Sequence, residues 1–214
     1  MVLKLYGFYL STCTRRVAVV LHEKGVPFEF VPVDLTKGEH KAPAFVKHQP
    51  FGVVPYIDDD GFILYESRAI AHYIATKYAS QGTALIPADL KANALYQQAL
   101  SIEVTSFNDY AEKLVAEKIF KPMRGGTTDQ ATYDRLAAGL NAKLDVYETI
   151  LSKQKYLGGD EITLADLYHL PYGSMLPMAG YTYLETKPSV KRWFDDISSR
   201  PAWNAVKGGV TSTA

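Results

Sequence analysis

The feature that most constrains this chain is a change of texture near Ser80-Gln-Gly-Thr83. Before that point, strand-like and helix-like periodicities alternate. Val2 to Tyr6 alternates apolar and polar residues until Gly7 breaks the run. A helix is predicted from about Thr14 to Lys24, with Val17, Val20 and Leu21 on one face and Gly25 where a C-terminal glycine belongs. Phe28 to Val33 is rich in aromatic and β-branched residues and reads as a strand. These three make a βαβ unit, for which a right-handed crossover is expected. Val53 to Ile57 and Phe62 to Tyr65 are two further strands, joined by the turn residues Asp58-Asp-Asp-Gly61. Glu66 to Ala79 carries Ile70, Tyr73 and Ile74 at helical spacing. The upstream part is therefore expected to be a small, mixed four-stranded sheet with helices packed on it.

After the change of texture, every periodic segment is helical. Leu90 to Phe120, Asp129 to Ser152, Thr163 to about Met175 and Pro188 to Ser199 are the predicted helices. Thr163-Leu-Ala-Asp166 has the form of a capping box, and Pro188 stands in the first turn of its helix. The expected organisation is α/β followed by all-α: a domain over residues 1–80, a linker over 81–87 and a helical domain over 88–214.

Charge narrows the function classes. Lys plus Arg and Asp plus Glu are 23 each, so the 214-residue chain has no basic excess for a nucleic acid to meet. Its amino terminus lacks the apolar core of a signal peptide, and no apolar run has the length of a membrane span. The single cysteine, Cys13, cannot form an internal disulfide, which fits a reducing compartment. The expectation is a soluble cytoplasmic protein with neither nucleic-acid nor membrane partners and no metal.

Four places in the first domain offer chemistry. Ser11-Thr-Cys-Thr14 lies between the first strand and the first helix, where free N–H groups favour an anion; one of these hydroxyls can equally be just the helix cap. Gly38-Glu-His-Lys41 is a polar loop whose His40 and Lys41 can donate to a carboxylate or simply be solvated. Gln49-Pro-Phe-Gly-Val-Val-Pro55 leads into a strand, with Pro55 either in a cis bond or an ordinary edge proline. Glu66-Ser-Arg68 opens a helix, so Ser67 is either a cap or an anchor for a ligand carboxylate.

Taken in order, these pieces resemble the glutathione transferases, particularly the phi class of plants and fungi. The matching segments are Ser11-Thr-Cys-Thr-Arg-Arg-Val17, Leu21-His-Glu-Lys-Gly25, Gly38-Glu-His-Lys41, Pro50-Phe-Gly-Val-Val-Pro55 and Glu66-Ser-Arg-Ala-Ile70. Leu157-Gly-Gly-Asp160 and Thr163-Leu-Ala-Asp-Leu167 extend the match into the helical part. The resemblance implies a thioredoxin-like first domain, a helical second domain, a homodimer, and glutathione as co-substrate. It makes Ser11 the catalytic hydroxyl, which donates to the glutathione sulfur and stabilises the thiolate. It places Thr12, His40, Lys41, Val53, Val54, Glu66 and Ser67 around the tripeptide. His40 and Lys41 would hold the glycyl carboxylate, and the Val54 backbone before a cis Pro55 the cysteinyl part. Glu66 and Ser67 would hold the γ-glutamyl end. Val53 departs from the pattern, which usually has Gln or Lys there.

Small hydrophobic electrophiles are expected in an apolar cleft where the domains meet. The candidate residues are Tyr9, Leu10, Phe120, Met123 and Met178, which can equally be packed core residues. Phe51 is expected to anchor the partner subunit. Conjugation and reduction of organic hydroperoxides both run through the same thiolate. Three other readings stand beside these: a thiol reductase using Cys13, a non-enzymatic carrier of hydrophobic ligands, and an interaction module.

Overall fold

The computed structural model describes residues 2–182 and 185–214. They form two units, one of residues up to Leu85 together with Arg200–Ala214, the other Ile86–Ser199.

The first unit is built on β1 (Leu3–Gly7), whose alternate residues Leu3, Leu5 and Gly7 are buried. Chain order then runs through α1 (Thr12–Glu23), β2 (Phe28–Pro32), a 3-10 turn (Glu39–Lys41) and α2 (Pro43–Val46). It continues with β3 (Tyr56–Asp59), β4 (Phe62–Tyr65) and α3 (Ser67–Lys77). The sheet order is β2-β1-β3-β4, with β1 parallel to β2 and antiparallel to β3, as expected for a mixed four-stranded sheet. The β3–β4 turn has Asp60 at φ 56° and Gly61 at φ 86°. Two consecutive positive φ angles suit the right-handed twist of a tight hairpin. Val17, Val20 and Leu21 of α1 and Ile70 and Ile74 of α3 are all fully buried, so the predicted helical faces are the packed ones.

Several boundaries differ from the periodicity. The first helix starts at Thr12, two residues before the expected Thr14, because the Ser11 side chain caps it. The third strand begins at Tyr56, not Val53: Pro55 has no N–H to give a ladder, and pairing starts where Tyr56 meets Tyr6. Pro201 stops one helix as expected, but it also opens another at its own position.

Residues 200–214, assigned by sequence to the helical domain, group with the first unit instead. In this segment α11 (Pro201–Val206) packs on α1, and the Arg15 guanidinium donates to the Lys207 carbonyl at 2.9 Å. Arg200 makes two hydrogen bonds to the Glu23 carboxylate at 2.6 and 2.7 Å. Beyond it, the Thr213 N–H donates to the Phe28 carbonyl at 2.9 Å, and the Ser212 hydroxyl accepts from the Phe30 N–H at 2.8 Å. The tail thereby occupies backbone groups of edge strand β2 that would otherwise be open to a foreign strand.

The second unit is helical. α4 (Leu90–Ile102), α5 (Asp109–Val115) and α6 (Lys121–Met123) follow one another with two π-helical stretches between them, Glu103–Asn108 and Ala116–Phe120. α7 (Gln130–Leu151) is capped by the Asp129 carboxylate. α8 (Leu164–Leu167) and α9 (Leu170–Gly173) divide the single helix expected from Thr163 to Met175, with Pro171 removing a backbone donor. α10 (Pro188–Ser199) completes the unit. The capping box is present, and its Asp166 is fully buried. That carboxylate accepts from the Leu157 and Thr163 N–H groups, the Thr163 hydroxyl and the Trp193 indole at 2.9 to 3.0 Å. Burial raises its pKa despite these four donors. Among the described residues, no helix is long and apolar enough to cross a membrane.

Candidate functional site

Ser11 ends the turn after β1. Its Oγ accepts the Thr14 N–H at 3.3 Å, so it is the N-cap of α1. A hydroxyl carries one proton and two acceptor lone pairs, so accepting at one lone pair leaves the proton to donate elsewhere. Capping and catalysis are therefore compatible uses of this one side chain. Ser11 is half-buried, Thr12 is buried, and Cys13 is a half-buried free thiol one residue further into α1.

Ser67 is the first residue of α3 and is buried. It is not the cap: Glu66 stands at that position, with φ 72°. Few non-glycine residues occupy this left-handed region, and those that do cluster at functional sites. The Glu66 side chain makes no capping bond and is exposed. The Ser67 Oγ accepts from Nη1 of Arg16 at 3.1 Å, and the same nitrogen lies 3.5 Å from the Cys13 sulfur. The first turns of α1 and α3 are thus joined through one buried guanidinium. Two helix N-termini with a cation between them make a setting that favours anions.

The other candidate residues lie on two loops held against each other. Gly52 has φ 61°, and a Cβ there would meet the Lys41 side chain at 3.0 Å and the His40 carbonyl at 3.1 Å. Lys41 Nζ donates to the Phe51 carbonyl at 3.4 Å. Gln49, only 1 % exposed, accepts the Val53 N–H at 3.3 Å and so shapes the loop from within. His40 is half-buried and its Nδ1 has no hydrogen-bond partner among the described residues, while Lys41 is exposed. Val53 is exposed, and Val54 precedes β3 outside its ladder. The Val54–Pro55 bond is cis. Beneath this loop Val54 packs with Val33, Phe45 and Tyr56, and burial pushes the Tyr56 phenol up to about 12.

The electrophile candidates are not core residues. Tyr9, Leu10, Met123 and Met178 are 46 %, 42 %, 77 % and 74 % exposed. Phe120 is half-buried and lines a cavity within the helical unit. Phe51 is 68 % exposed, its ring 6.1 Å from that of Tyr65.

Sequence reasoning assigned no role to Arg16 or Gln49. Each is a polar residue in a segment whose neighbours carry the recognisable pattern, and only burial marks it out. A charged residue on the buried face of an amphipathic helix is the signal that would have revealed Arg16.

Comparison with known proteins gives the family. The family model described as glutathione S-transferase, N-terminal domain, matches residues 1–76, and that of the C-terminal domain matches residues 107–201. Glutathione S-transferase PM239X14 of Arabidopsis thaliana is 50 % identical over 195 residues, 89 % of each chain. The crystal structure of glutathione transferase F7 from Populus trichocarpa superposes with a TM-score of 0.93 at 44 % identity, covering 97 % of this chain and 98 % of that one. Glutathione S-transferase I from maize, solved in complex with an atrazine glutathione conjugate, gives 0.88 at 33 % identity over 97 % of each chain. The chain belongs to the glutathione S-transferase family, in its phi class, and is a transferase that conjugates glutathione.

Proposed function

We propose that Ser11 activates the glutathione thiol for attack on small hydrophobic electrophiles. The observation that carries this reading is the Ser11 hydroxyl: it caps α1 through a lone pair and keeps its proton for a sulfur placed at the helix end. An ordinary thiol has a pKa near ~8.5, so lowering it by about two units takes roughly 2.7 kcal/mol of preferential thiolate stabilisation. One charge-assisted hydrogen bond and the positive end of a helix are together of that size.

Around that thiolate, Ser67 would take the γ-glutamyl carboxylate at the N-terminus of α3, and Glu66 the amino group. The Val54 backbone would pair with the cysteinyl part as an added strand does, next to Thr12 and Val53. His40 and Lys41 would hold the glycyl carboxylate. Tyr9, Leu10, Phe120, Met123 and Met178 would receive the electrophile, and their exposure supports contact with a ligand over core packing. The maize neighbour's conjugate is a precedent for such a ligand. The same thiolate would also reduce organic hydroperoxides, a second glutathione releasing the disulfide. Homodimerisation through Phe51 and a cytoplasmic location complete the proposal.

The test is a pH titration of thiolate absorbance for glutathione bound to the protein. A pKa clearly below that of the free thiol is expected. An unshifted pKa with tight binding would favour a carrier. Turnover that survives Ser11→Ala and is abolished by Cys13→Ser would favour the thiol reductase.

A further inference from the structure

The helical unit carries an open cleft of about 720 Å³ whose charge differs in character from that of the whole chain. Its apolar wall is Ala116, Phe120, Leu136 and Tyr172. Its charged residues are Lys113, Lys121, Arg124 and Arg135 against Glu112 and Glu117, a local excess of two positive charges in a chain with none overall. Two of those cations already have acidic partners: Lys113 pairs with Asp109 at 2.6 Å and Lys121 with Glu117 at 2.7 Å. Arg124 and Arg135 have none among the described residues.

Backbone geometry marks the same place. The Ala116–Phe120 stretch is π-helical, and Ala116, Glu117 and Phe120 from it line the cavity. A π-turn widens the helix and misaligns its hydrogen bonds, and such stretches occur often at functional sites. An apolar wall with an aromatic ring, beside two guanidinium groups without carboxylate partners, suits a flat apolar body bearing an anionic group.

We propose that this cavity selects electrophiles that carry a carboxylate, with Arg124 and Arg135 holding the carboxylate while Phe120 and Tyr172 cover the arene. The proposal rests on the reading of Phe120 as an electrophile-site residue and adds the substrate class to it. For a chloronitroarene the step is balanced: the glutathione thiolate forms the C–S bond, chloride leaves with the C–Cl bonding pair, and the thiol proton passes to solvent.

The experiment compares 4-chloro-3-nitrobenzoate with its neutral amide, 4-chloro-3-nitrobenzamide. Both are measured as kcat/KM with glutathione, for the wild-type chain and for the Arg124→Gln/Arg135→Gln double variant. The two arenes differ in intrinsic reactivity, so the readout is the quotient of benzoate over benzamide. Each exposed guanidinium–carboxylate pair contributes a factor of about two to five, so the quotient is expected to fall about tenfold in the double variant. Arg135→Glu alone should lower it as well, and about 0.5 M sodium chloride should lower it in the wild type. A quotient unchanged by all three overturns the selection of anions and leaves conjugation intact. Turnover of neither arene overturns the electrophile reading, and this inference with it.

Discussion

Nη1 of Arg16 lies 3.1 Å from Oγ of Ser67, so a side chain of the first helix sets the position of the side chain that opens the third. Arg16 is 1 % exposed and therefore has little freedom to swing away. If Arg16 acts on glutathione through Ser67, Arg16→Gln should raise the KM for glutathione about tenfold with a smaller change in kcat. The decisive measurement is the double-mutant cycle with Ser67→Ala. Non-additive effects on KM are expected, whereas additive ones would mean that Arg16 is only structural.

Ser11 has two uses that substitution can separate. Ser11→Ala should lower stability by about 1 kcal/mol through loss of the cap, and kcat/KM by a factor of about 10² or more through loss of the donor. Ser11→Asp restores a cap acceptor but has no proton to give and places a negative charge beside the thiolate. It should recover stability in urea unfolding while remaining inactive. If Ser11→Asp is active, the donated proton is not what matters.

Val53 is 45 % exposed and its N–H is already taken by Gln49, so its side chain can be changed without disturbing the loop. Val53→Gln adds an amide beside the proposed cysteinyl position. A hydrogen bond there is worth about 1 kcal/mol, so the KM for glutathione should fall about fivefold. Steady-state kinetics at saturating electrophile reads this directly.

Phe51 exposes an aromatic ring that the chain by itself does not cover. Phe51→Ala should weaken self-association by about 2 kcal/mol, as burial of such an anchor implies. Sedimentation equilibrium across a concentration series would register a rise in the dimer dissociation constant of roughly thirtyfold. An unchanged constant removes Phe51 from any interface.

Glu23 makes one part of the fold sensitive to acid. Burial by itself would raise its carboxyl, but hydrogen bonds from Arg200 and Thr83 and the charges of Arg200 and Lys24 outweigh it and hold it below the usual carboxylate range. A depressed acid holds fewer protons folded than unfolded. Its stabilisation is therefore complete above the unfolded pKa and is lost as pH falls through the folded one. Glu23→Gln should be less stable than wild type by roughly 2 kcal/mol at neutral pH, because it removes the negative charge that faces the partly buried Arg200 guanidinium. The gap should narrow in acid. Urea unfolding at neutral pH and near pH 3 tests both statements.

Some of this was legible in the sequence, and the reason is locality. The strand alternation of Leu3 and Leu5, the helical spacing of Val17, Val20 and Leu21, the hairpin glycine Gly61 and the capping pair Thr163 and Asp166 act over a few residues. Their physics is contained in short windows. The order of motifs from Ser11 to Ser67 was equally visible, and with it the family. Tertiary structure decided what depends on residues far apart in the chain. Ser67 could be read as a cap until Arg16, 51 positions away, was found bonded to it. Residues 200–214 looked like the end of a helical domain until Arg200 reached Glu23, a separation of 177. Arg124 and Arg135 are set beside Phe120 and Tyr172, in one cleft, only by folding. Periodicity reports which face of an element is buried; what that face meets is decided by packing alone.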